Sequence, residues 1–359
     1  MRLSQAEQLA KGLSSSAGAP EGDSLRLARV HFWLGRVHYS RGEMGEAIGY
    51  FRQVLPVAQE YGDRELLSIP SGAIGQAMAV LGRLNEAKKL LGQAIPIFEK
   101  AANWTEWIQA KGFRGTAVAS MGDYGRGLKE VQQAQARAKE LNFLTGVSVS
   151  NNCLGYAYLF GGDHLQAMEA AKAAVTAAEQ SGDRIYAYVG YGVWAWAACR
   201  NGRYEEAASC LERCQEVAKE LGGRVIMADL FATARAEIAL GSGRLDEAIV
   251  LAEQAVTMAQ QTGGILAEGI ARRLWGQALG SFESPRWDEA EIQLAESLKV
   301  LESGQNRLEA ARTHRVWGLL CHDRGNLASA REHWEKAAAL FQASGLNREL
   351  EEVRALLGQ

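Results

Sequence analysis

Cysteine is sparse and unpatterned in this chain. The five cysteines, at 153, 199, 210, 214 and 321, are odd in number and include no CxxC spacing. That excludes a disulfide framework and fits reduced thiols in a cytoplasm, the expected location. Excess charge is lacking as well. The net charge is −3, whereas a nucleic-acid-binding domain shows clustered Lys and Arg, so no nucleic-acid partner is expected. No apolar run approaches the roughly 18 residues that a membrane span needs. The opening Met1-Arg2-Leu3-Ser4-Gln5 lacks the apolar core of a signal peptide, so no membrane partner is expected either. There is no GxxxxGK(S/T) stretch to hold nucleotide phosphates. No Ser or Cys nucleophile stands paired with a base, and His314 and His322 lie too far apart for an i, i+4 pair. The chain is therefore read as non-catalytic, with no cofactor and no metal.

What the chain does have is a ladder. Gly42, Gly82, Gly122, Gly162 and Gly202 follow one another at intervals of 40, and the series resumes at Gly243 and Gly325. Five residues after each stands a small residue: Ala47, Ala87, Gly127, Ala167, Ala207, Ala248 and Ala330. Self-similarity at this period signals a repeat array, in which each unit is stabilised by its neighbours and no single central core exists. A second ladder, Gly62, Asn103, Asn142, Gly182, Gly222, Gly263, Gly304 and Gly345, closes each unit with the residues that best tolerate the left-handed backbone. Within a unit, Ala47, Ile48, Phe51, Val54, Leu55 and Ala58 keep the 3, 4, 3 rhythm of one buried helical stripe. The expected organisation is a partial helix and loop over 1–23, with the helix at 3–13 and the loop at 14–23. Eight helix-turn-helix repeats over 24–346 and a capping helix over 347–359 complete it. Asp63 is placed to cap the helix that follows it. Repeat seven departs from the pattern: the stretch from Gly280 to Trp287 reads as a turn two residues longer than the others, with Pro285 able to start the next helix.

The bulky-then-small pairs Leu34-Gly35, Ile74-Gly75, Leu154-Gly155, Trp194-Ala195, Trp275-Gly276 and Trp317-Gly318, followed by a turn Gly and a small residue in the second helix, resemble the tetratricopeptide repeat. The usual unit of that family has 34 residues, so a period of 40 implies slightly longer helices. Repeats three and six depart from it most, with Arg114 and Arg235 in the bulky place and Gly127 for Ala. A narrower resemblance rests on phrases such as Phe32-Trp33-Leu34-Gly35-Arg36 and Glu309-Ala310-Ala311-Arg312-Thr313-His314. They look like the repeat tail of large bacterial signalling proteins that carry a nucleotide cyclase and an AAA-type ATPase module.

The resemblance implies an all-α right-handed solenoid whose first helices line a concave groove. Carried over by position, the candidate partner-binding residues are Arg36, Asn152, Tyr156, Trp196, Arg273 and Arg315, with Gln76, Glu237, Arg312 and His322 beside them. Arg suits bidentate carboxylate recognition, and Tyr or Trp make good anchors. Cys210 and Cys214 stand four apart on a helix, but no further ligand completes a metal set, and core packing is the expected role. The function expected is a scaffold that binds a peptide or partner domain in the groove, with a homo-oligomer also possible. The alternative is a regulatory domain that senses a small molecule there.

Overall fold

The computed structural model describes residues 21–62 and 64–358. The expected helix at 3–13 and the Asp63 cap lie outside the described residues. Among the described residues seventeen helices follow one another and there is no strand. Sixteen of them form antiparallel pairs: α1 (Glu21–Ser40) with α2 (Met44–Glu60), α3 (Arg64–Val80) with α4 (Leu84–Lys100), and α5 (Trp104–Ser120) with α6 (Tyr124–Glu140). Next come α7 (Leu144–Phe160) with α8 (His164–Ser181), α9 (Arg184–Arg200) with α10 (Tyr204–Glu220), and α11 (Ala228–Gly241) with α12 (Leu245–Thr262). Then α13 (Ile265–Gly280) pairs with α14 (Trp287–Ser303) and α15 (Arg307–Asp323) with α16 (Leu327–Ser344), before the single α17 (Asn347–Leu357). Helix α1 begins at Glu21, inside the stretch expected to be loop.

The two helices of a pair are built differently. Second helices are amphipathic: α6 buries only Gly127, Glu130, Val131, Ala134 and Ala138. First helices in the middle of the array are buried nearly all round, as in α7, where most residues from Gly146 to Phe160 are covered. Such a helix belongs in an interior. The first helices form the inner layer and the second helices the outer one.

Each ordinary turn between paired helices is three residues long, and its Gly takes a left-handed φ, 76° at Gly42 and 79° at Gly82. The closing ladder holds at Gly62, Asn142, Gly182, Gly222, Gly263 and Gly345, all with positive φ. Two rungs move. In place of Asn103, Ala102 is left-handed (φ 53°), and Asn103 caps α5 by accepting from the Glu106 amide at 3.3 Å. In place of Gly304, Gln305 is left-handed (φ 63°). Gly304 keeps an ordinary φ of −90°, and a Cβ there would stand 2.4 Å from the Gly82 carbonyl oxygen. This glycine serves a contact between distant repeats.

The irregular repeats find local solutions. In repeat three, a Cβ on Gly127 would meet the Gly115 carbonyl oxygen at 2.4 Å, so two glycines bring α5 and α6 into backbone contact. Arg114 turns to Glu130, donating from Nε at 2.8 Å and Nη2 at 2.9 Å. In repeat six the first helix starts at Ala228 instead of near 224, and Val225 and Ile226 lie outside the helix and are buried. The turn of repeat seven has six residues, from 281 to 286, three more than the others, and Pro285 stands outside α14 because Arg286 occupies the N-cap.

These adjustments serve one global feature. The Ile226 amide donates to the Ser40 carbonyl at 2.9 Å, and the Ile265 amide to the Leu81 carbonyl at 2.9 Å. Asn306 Nδ2 donates to the Gly82 carbonyl at 3.1 Å, and Ser120 Oγ to Asn306 Oδ1 at 3.4 Å. Arg312 Nη2 donates to the Phe160 carbonyl at 2.7 Å. The turn ends of repeats one to four thus rest on the starts of repeats six to eight and on α15 and α17. The array comes round in five repeats and its successive coils touch.

Candidate functional site

Because the coils touch, the inner face does not remain one open groove. It holds two cavities with no lining residue in common. The first, of about 170 Å³, is mostly apolar, walled by side chains such as Phe113, Val149, Tyr156, Ile226, Met227 and Leu266. The second, of about 820 Å³, is a polar channel between repeats four to eight and α17. Five of the six sequence-predicted residues divide between them. Arg36, Asn152 and Tyr156 line the apolar cavity, and Arg273 and Arg315 line the polar channel. Trp196 lines neither and is fully buried. It touches a lining residue of each: its ring meets Tyr156 edge-on with centroids 6.5 Å apart, and the Arg200 guanidinium lies 4.6 Å from its centroid. Trp196 Nε1 donates to Glu237 Oε2 at 2.7 Å.

In the apolar cavity, Asn152 Nδ2 donates to the Tyr186 carbonyl at 3.1 Å, and the Tyr156 hydroxyl reaches Met227 Sδ at 3.6 Å. Burial pushes the Tyr39 hydroxyl well above the usual phenol range and raises Tyr186 to about 12, so both stay protonated donors at neutral pH.

The polar channel is organised by Glu309, whose side chain is fully buried. It accepts from Arg273 Nη1 at 2.6 Å and Arg312 Nη1 at 2.7 Å, and Arg200 Nη1 lies at 3.5 Å. Burial alone would raise its pKa, but Arg273, Arg312 and Arg200 together hold the carboxyl far below the usual carboxylate range. Arg312 Nη2 also donates to Glu349 Oε1 at 2.8 Å, and Arg315 Nη1 to Glu352 Oε2 at 2.7 Å. His164, half-buried beside Arg200 and Arg312, is lowered to about 4 by partial burial and by these two cations, and is neutral at physiological pH. The lining carries five arginines against three glutamates, and with Glu309 buried behind it the balance is five to four.

Sequence reasoning missed Glu309, Arg348 and the role of Glu349. A signal was present. Arg200 and Glu237 are 37 apart, Arg273 and Glu309 36, Arg312 and Glu349 37, and Arg315 and Glu352 37. These charge pairs stand a little under one repeat apart, the separation of neighbouring inner helices. Cys210 and Cys214 are core residues, and among the described residues no group of three or more His, Cys, Asp or Glu could hold a metal ion.

Residues 26–100 match the family profile of the tetratricopeptide repeat. The chain folds as a tetratricopeptide-repeat superhelix. No curated protein sequence matches it. Several solved structures share the fold. A Rap protein complexed with Competence and Sporulation Factor aligns with TM-score 0.57 and 14% identity, over 97% of this chain and 81% of that one. The APC/C hetero-tetramer Cut9–Hcn1 aligns with TM-score 0.61 and 14% identity, over 97% of this chain and 59% of that one. A signal-transduction ATPase with numerous domains and a tetratricopeptide-repeat sensor, from Pyrococcus horikoshii, gives TM-score 0.50 and 13% identity, over 99% of this chain and 55% of that one. At these identities the likeness establishes the superhelix alone. No helix of the described residues is long and apolar enough to cross a membrane.

Proposed function

We propose that this superhelix is a protein-interaction scaffold whose polar channel holds an acidic segment of a partner protein. One observation carries the reading: the arginine excess along a channel of about 820 Å³, within the size range of sites that enclose a ligand. Arg273 and Arg312 are locked by Glu309, whereas Arg315 and Arg348 both face the half-exposed Glu352, the pairing most readily exchanged for a partner carboxylate. The comparisons support the coarse part, since a Rap protein and Cut9 were each solved with a bound partner molecule. We place the scaffold in a larger bacterial signalling protein, in keeping with the sequence phrases above and with the sensor role named for the Pyrococcus horikoshii ATPase. A reading frame that continues upstream into an ATPase or cyclase would bear this out.

The channel is tested by fluorescence anisotropy with a labelled acidic peptide and a composition-matched neutral one. The acidic peptide is expected to bind, to weaken as salt rises, and to lose about tenfold in affinity on Arg315→Glu. Equal affinity of Arg315→Glu and the parent chain for the acidic peptide sinks the assignment.

A further inference from the structure

The apolar cavity has a different chemistry. Arg36 enters it as a guanidinium without an ion-pair partner: Nη1 donates to Gln76 Oε1 at 3.3 Å, and the group lies 5.5 Å from the Tyr39 ring centroid. Among the described residues no carboxylate comes within 4.0 Å of it. The Tyr186 hydroxyl is its nearest other polar neighbour, Glu106 acts on it from farther away, and Asp183 is engaged in capping α9, accepting from the Tyr186 amide at 3.2 Å. Two lining residues, 6% and 4% exposed, each carry a buried polar atom without a hydrogen bond, the Tyr39 hydroxyl and Asn152 Oδ1, the latter lying close to Gly190. The Asn152 amide nitrogen is already committed to Tyr186, so the oxygen is left as an acceptor. Buried groups of this kind are normally paired, and leaving them unpaired is costly. The volume, about 170 Å³, compares with the roughly 150 Å³ of a cavity that takes up benzene.

We propose that this cavity binds a small monocarboxylic acid with an apolar body about the size of a benzene ring and one further hydrogen-bond donor. The carboxylate pairs with Arg36 and accepts from the Tyr39 hydroxyl, the donor meets Asn152 Oδ1, and the ring packs on Phe113, Val149 and Met227. The same chemistry has two sources, a free acid or the C-terminal residue of a peptide. The site shares no lining residue with the polar channel, so failure here leaves the scaffold reading standing.

Titration calorimetry of the full chain decides it. The probes are 4-hydroxyphenylacetate, its amide 4-hydroxyphenylacetamide, and a short peptide ending in tyrosine with a free or an amidated C-terminus. A carboxylate form is expected to bind at least about tenfold more tightly than its amide. Arg36→Gln should weaken it at least tenfold and Tyr39→Phe several-fold, while Arg315→Glu leaves it unchanged. Tyr39→Phe removes one buried oxygen and keeps the ring, so it decides the matter if Arg36→Gln does not fold. Binding of the free acid assigns a small-molecule source, and binding of the free-ended peptide alone assigns a chain terminus. Absence of binding by every carboxylate, equal binding of acid and amide, or full binding by Tyr39→Phe overturns the proposal.

Discussion

Glu309 is one fully buried carboxylate serving three arginines from three different repeats, so its charge cannot be removed locally. Glu309→Gln keeps the shape and leaves Arg273 and Arg312 without their shared counter-charge. Breaking such a pair by removing one partner costs about 3–5 kcal/mol, and a urea melt should show a loss of that size. The same residue helps to set the acid limit. Its folded pKa is depressed, so its contribution is complete above the ordinary value of 4.5 and is lost as pH falls below it. His314 acts earlier. Burial, and then the neighbouring His333, lowers it from 6.5 to about 4, and the two rings meet Nδ1 to Nδ1 at 2.9 Å. The unfolded chain therefore takes up this proton first, and stability falls as pH drops from 6.5 towards 4. His314→Gln should flatten that part of the curve by roughly 1–2 kcal/mol, read by denaturant melts across the pH range. Arg273, Arg312 and Arg315 were legible in the sequence as inner-face positions, whereas Arg200 was not singled out. Their partners were not singled out, because a buried glutamate looks like a surface one until its arginine is counted one repeat away.

At the scale of the helix pair, the glycines divide by what surrounds them. Gly127 faces the backbone of α5, and a methyl group there has nowhere to go. Gly127→Ala should cost about 1–3 kcal/mol by overpacking. Gly49 lies mid-helix in α2 with nothing within 4 Å of a built Cβ, so Gly49→Ala should stabilise by about 0.5–1 kcal/mol. Thermal melts of the two variants should move in opposite directions. Turn glycines were readable from sequence because a left-handed φ is a local demand. The shifted rungs at Ala102 and Gln305 were not readable, since neither residue type advertises that conformation and the neighbouring Asn103 and Gly304 do. Gly304 is present for the carbonyl of Gly82, more than two hundred residues away, and no local pattern carries that information.

At the scale of the whole molecule, helix pairing and order followed from the period of 40, while the two cavities followed from coil contact that the period does not encode. A simple repeat array is stabilised by neighbour terms alone and can open at either end. Here repeats one to four also bond to elements four to six units on, so the ends are coupled through Ile226, Ile265, Asn306 and Arg312. Tryptophan fluorescence and far-ultraviolet circular dichroism should therefore report one coincident transition in urea. A separate early transition of repeats seven and eight would contradict the coupling. The touching coils have a mechanical consequence. A spring wound until its turns meet cannot be shortened, only drawn out. An occupant of the interior that needs more room can obtain it in one direction, along the axis, by parting the seam between coils one bond at a time. Parting the seam would thereby show as a change in the length of the superhelix.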